Sequence, residues 1–79
     1  MAVYFFHMQG SKREYDDEGL ELAGDEEARR EAIRYGGNLI YDEPDILSRN
    51  DGLRINVVNA EGQLRFAVVI NALDVESAA

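Results

Sequence analysis

The chain has 79 residues, 46% of them hydrophobic and 30% charged, a balance that belongs to one small folded domain rather than to a disordered segment. It has no cysteine and a single histidine, which excludes disulfides, thiolate metal sites and a His-rich zinc site within one chain. Sixteen acids against eight bases give a formal net charge of −8, which opposes binding to nucleic acid or to anionic membrane and fits a partner with a basic surface, or none.

From the N-terminus, Val3-Tyr4-Phe5-Phe6-His7-Met8 reads as a strand. Tyr4, Phe6 and Met8 share one face; Val3, Phe5 and His7 share the other. Both faces are largely apolar, as in a strand near the middle of a sheet. Gln9-Gly10-Ser11 is a turn signal. In the acidic stretch that follows, residues 16–19 run Asp-Asp-Glu-Gly, a type I turn pattern. Leu20 and Leu22 flank Glu21 in period two, so a short second strand is expected, paired with the first.

Asp25 is the expected N-cap of a helix over residues 25–41, with Glu26 and Glu27 in its first turn. Ala28, Ala32, Gly36 and Leu39 fall on one face, widened by Tyr35 and Ile40. Small residues there let the helix lie close to a sheet, with Gly36 at the nearest approach. Pro44 closes the helical region. Residues 42–51 are expected to be a loop with a turn near 45–47, and Asn50-Asp51-Gly52 is a second turn signal. Two alternating runs then form a hairpin within residues 53–72: Leu53, Ile55 and Val57 on one strand; Leu64, Phe66, Val68 and Ile70 on the other. Gly62 is expected at a positive-φ position in its loop, and the tail 74–79 is expected to be flexible. The expected fold is therefore α+β, β-β-α-β-β, one antiparallel sheet of about four strands on one helix, with Phe6, Leu22, Ala32, Leu39, Ile55, Phe66 and Val68 in its core.

These same elements resemble a family of short bacterial proteins, common in rhizobia and other alphaproteobacteria, classed as a domain of unknown function. The resemblance rests on Tyr4-Phe5-Phe6-His7, on the Asp-x-x-Gly turn from Asp16 to Gly19 with Leu22 after it, and on the alanines four apart at Ala28 and Ala32. A second Asp-x-x-Gly turn is matched by Asn59 to Gly62, with Asn in place of Asp, and Val69-Ile70 stand where family members often carry Pro-Phe. The resemblance implies a fold and no chemistry.

No catalytic set is legible. Ser11, Ser48 and Ser77 lack a nucleophile-elbow setting, threonine is absent, and Gly36-Gly37 lacks the context of a phosphate loop. His7 with Asp16 and Asp17 is the candidate metal or general-base cluster; a hydrogen-bonded structural histidine is the favoured reading. The acidic runs 16–18 and 42–45 lack the spacing of a calcium loop and read as solvated turns. The aromatics Tyr4, Phe5 and Phe6 read as packing rather than base-stacking residues, because few bases accompany them. No cofactor is expected.

One helix covers one face of such a sheet. Val3 and Phe5 on the first strand, with Ala67 and Val69 on the last, are therefore candidate interface residues for a symmetric homodimer. The competing arrangement folds residues 42–52 over the second face, with Ile46 and Leu47 as the plug. The expected role is a non-enzymatic protein-interaction or regulatory module in the cytoplasm, acting as a homo-oligomer. The alternative is a small-ligand or metal-binding regulatory domain using His7 and nearby acids. The apolar run at residues 2–6 precedes Lys12 and Arg13, the reverse of a secretory signal.

Overall fold

The computed structural model describes residues 1–10, 13–47 and 52–75. Strand β1, Ala2–Gln9, is followed by β2, Arg13–Glu14, and β3, Leu20–Leu22. Helix α1 spans Asp25–Asp42 and a 3-10 turn spans Pro44–Leu47. Strands β4, Leu53–Asn59, and β5, Leu64–Ile70, complete the chain. The sheet is antiparallel with order β2-β1-β4-β5, and β3 also pairs with β1. The architecture is the expected α+β arrangement, β-β-α-β-β, with the second strand split into two short pieces. Parts of the turn signals at Ser11 and at Asn50-Asp51, the three serines and most of the tail lie outside the described residues.

The core forms where α1 crosses the sheet. Tyr4 from β1, Leu22 from β3, Ala28 and Ala32 from α1, and Leu53, Ile55 and Val57 from β4 are buried. Gly36 brings the helix closest: a Cβ there would lie 3.1 Å from the Cδ1 atoms of both Ile55 and Ile70. Of the expected core, Leu22, Ala32 and Ile55 are buried, while Phe6, Leu39, Phe66 and Val68 pack against the core from partly exposed positions. An 18-residue helix is about 27 Å long and one helix wide. It therefore shields β4 fully and the flanking strands less, which is why Leu53 and Val57 outrank Phe66. Ile46 and Leu47 pack against this same helix-side core. They do not plug the opposite face, so the competing arrangement is overturned at these two residues.

Two local expectations are corrected. Gly24, in extended conformation, is the N-cap of α1 and no side chain caps it. The Asp25 carboxylate instead accepts hydrogen bonds from the Tyr4 hydroxyl (2.6 Å) and from Arg65 Nε and Nη2 (3.0 and 2.8 Å). At the start of the helix, Glu27 reaches back to accept from the Ala23 N–H at 3.0 Å. The second correction concerns β5. Its ladder with β4 pairs Val57 with Phe66 but Val58 with Leu64, so Arg65 is an extra residue in a β-bulge. The bulge aims Arg65 at Asp25 and turns Leu64, expected on the core face, to the far side, where it is 53% exposed. The hairpin loop itself is as expected, with Gly62 at φ 80.

Candidate functional site

The side of the sheet away from α1 carries no second layer among the described residues. Its geometry begins with the loop 15–19, which lies between two pairings on the same edge of β1. Tyr4 pairs with Leu20 of β3 and Met8 with Glu14 of β2, leaving residues 5–7 without a ladder on that side. Asp16 fills the gap. Its Oδ2 accepts from the Phe6 main-chain N–H at 3.2 Å, and its Oδ1 accepts from the N–H groups of Glu18 and Gly19 at 3.0 and 3.1 Å. Its own N–H donates to His7 Nδ1 at 3.1 Å. Partial burial works to raise the Asp16 carboxyl. The donors on Gly19, Phe6 and Glu18, with His7 nearby, outweigh it and hold the group below its ordinary value. Gly19 is required here on two counts: φ is +76, and a Cβ would come within 2.7 Å of Val3 Cγ1 and 3.0 Å of Phe5 Cε1.

The registers lay the rest of this face out in rows. Val3 lies opposite Glu21 at one end. Phe5, Val58 and Leu64 form the next row, His7, Asn56 and Ala67 the third, and Arg13, Gln9, Arg54 and Val69 the last. The face is thus apolar at one end and polar at the other. The His7 ring stacks on Phe5 with centroids 6.5 Å apart and meets Tyr15 edge-on at 5.4 Å. Arg54 Nε donates to Asn56 Oδ1 at 2.7 Å. A groove of about 290 Å³ runs over the polar rows.

Of the residues singled out in the sequence, His7 and Asp16 are brought together, but through atoms that bond each other and the backbone. Asp17 is exposed on the loop. Among the described residues no group of three His, Asp or Glu side chains is placed to share a metal ion. Val3 and Phe5 sit together at the apolar end, whereas Ala67 and Val69 lie along β5 towards the polar end, with His7, Asn56 and Arg54 between the two pairs. Arg13, Tyr15, Arg54 and Asn56 were not singled out as site residues. Arg54 and Asn56 do show as the polar half of the alternation in β4, but nothing in the sequence places Arg13 and Tyr15 beside them. A larger groove of about 520 Å³ lies on the helix side, floored by Phe6, Met8, Leu20 and Tyr35; its one guanidinium, Arg34, is paired with Glu31 at 3.4 Å.

The Tyr4–Asp25–Arg65 cluster closes the opposite side of the sheet. The Tyr4 hydroxyl bond, followed by the Arg65 bonds, holds the Asp25 carboxyl below its ordinary value. The same contacts with Asp25 raise the Tyr4 phenol and the Arg65 guanidinium. Tyr4 bonds one oxygen of Asp25 and Arg65 the other, and the cluster ties β1, α1 and the β5 bulge together.

The profile of one protein family, Domain of unknown function (DUF6894), matches residues 3–71. The chain belongs to the DUF6894 family. The match runs from Val3 in β1 to the residue after β5, so both turns of this DUF6894 domain, and all of its sheet but Ala2, lie within it. No curated protein and no solved structure matches the chain. Among the described residues no helix is long and apolar enough to cross a membrane.

Proposed function

We propose that this DUF6894 domain is a non-enzymatic interaction module of the bacterial cytoplasm that works as a symmetric homodimer, joined by pairing β5 with its counterpart in a second copy. The observation that carries this reading is the unprotected edge of β5. Among the described residues nothing pairs with its outer side, and residues 66–70 contain neither a charge nor a proline. Soluble proteins usually guard such an edge with lysines, prolines or a covering element. Here the one device is the bulge at Arg65, near one end of the strand. Val69 is 62% exposed and would meet its neighbours across a two-fold axis. The excess of acids, several of them in the first turn of α1, suits a further partner with a basic surface.

Light scattering at micromolar chain concentration is expected to give the mass of two chains. Val69→Lys adds an edge charge at an exposed position and is expected to give the mass of one chain with an unchanged far-UV spectrum. A one-chain mass for the unsubstituted protein overturns the reading.

A further inference from the structure

We propose that the polar end of the open sheet face binds a small organic oxyanion, a carboxylate or a phosphate monoester carried on an apolar body. The groove there is lined by His7, Gln9, Arg13, Tyr15, Arg54 and Asn56, and by no acid, in a chain with sixteen of them. Four of these side chains, His7, Gln9, Tyr15 and Asn56, can either donate or accept, and the structure engages the acceptors of two of them, His7 and Asn56, within the protein. The main-chain N–H of Asp16 can only donate, so the imidazole atom facing it is the unprotonated Nδ1, and the ring proton sits on Nε2. Arg54 Nε can only donate, so the Asn56 atom facing it is Oδ1, and the amide N–H groups are left over.

The acceptors of His7 and Asn56 are therefore consumed inside the protein. What these two side chains have left to offer is donors, beside the two guanidinium groups of Arg13 and Arg54. Among the described residues Arg30, Arg34 and Arg65 each have a carboxylate partner, while Arg13 and Arg54, like Arg29 on α1, have none. Guanidinium forks match the planar oxygens of carboxylate and phosphate. The Tyr15 ring, edge-on to His7, and the side chains of Val58 and Leu64 supply apolar surface for the body of the ligand. A volume of about 290 Å³ suits a small molecule. A polyanion is disfavoured, because its further charges would extend over a protein of net charge −8. The site does not depend on the dimer: pairing along the edge of β5 leaves the groove open.

The test is an NMR titration of the full chain with phenyl phosphate and, separately, with benzoate, each against sodium chloride at matched ionic strength. Saturable shifts of the His7 ring and the Arg13 and Arg54 side-chain signals are expected, and the stronger of the two probes identifies the oxyanion. Arg13→Gln and Arg54→Gln are each expected to weaken binding by about tenfold or more while leaving the other backbone signals in place. Shifts that stay linear up to about 10 mM probe, or that both variants or sodium chloride reproduce, overturn the site. Tighter binding of a single-stranded oligonucleotide than of phenyl phosphate overturns the small-molecule assignment.

Discussion

The adjacent glycines of α1 offer a within-helix test of how closely the helix seats on the sheet. At Gly37 a Cβ meets nothing within 4 Å, so Gly37→Ala adds only the helix preference of alanine, about 0.8–1 kcal/mol. For a domain of this size that corresponds to a rise in Tm of roughly 4–8 °C. Gly36→Ala brings the same preference but places its methyl 3.1 Å from Ile55 Cδ1 and Ile70 Cδ1, well inside an ordinary carbon contact. Ile55 is fully buried and has no solvent to retreat into. Overpacking of this kind costs about 1–3 kcal/mol. The expected result is that Gly36→Ala is neutral to destabilising by about 2 kcal/mol and lies about 1–3 kcal/mol below Gly37→Ala. Urea titrations followed by circular dichroism, at one fixed chain concentration, give both values. Equal stabilisation of the two variants would refute the close approach at Gly36. No gain at Gly37 would refute the continuous helix through 36–37.

Ile55→Ala removes a fully buried side chain from the central strand and is expected to cost about 2–5 kcal/mol, a large part of the total for a domain of this length. An unchanged urea midpoint would contradict the core assignment. Asp16 and Asp25 have folded-state carboxyls held below the ordinary 3.8, so their stabilisation is present above that value and is lost as pH falls through the lower folded one. Thermal melts are expected to be insensitive to these groups above about pH 5 and to weaken below it. Asp16→Asn should lower Tm at neutral pH and reduce the acid sensitivity, and an acid profile identical to that of the unsubstituted chain would exclude the role given to Asp16.

Period and turn chemistry made the helix, the final hairpin and the positive-φ role of Gly62 legible, because each depends on residues close in sequence. The small-residue face of α1 also announced the contact at Gly36. What periodicity could not show was any feature that breaks it. The bulge at Arg65 shifts the phase of β5 by one residue, so Leu64 leaves the core face and Arg65 reaches Asp25. With its carboxylate taken by Tyr4 and Arg65, Asp25 does not cap the helix that its position in the sequence pointed to. The polar groove was hidden for a different reason: Arg13, His7 and Arg54 belong to three strands, and only the order β2-β1-β4-β5 sets them side by side.

The two Asx-x-x-Gly turns show how far one motif can be put to different uses. In the hairpin, Asn59 Oδ1 accepts from the N–H groups of Glu61 and Gln63, while its Nδ2 donates to Gln63 Oε1 at 3.0 Å. That last bond needs an amide, since a carboxylate has no proton to give. At the other turn, both Asp16 oxygens accept, from three main-chain N–H groups, and one of those donors, on Phe6, belongs to a strand ten residues back. An amide could satisfy one side of that arrangement and would face the Phe6 N–H with a donor of its own. The asparagine at position 59 therefore fits a turn that serves only its hairpin. The aspartate at position 16 fits a turn that also completes the edge of β1, orients His7 and, through His7, fixes which atoms line the groove.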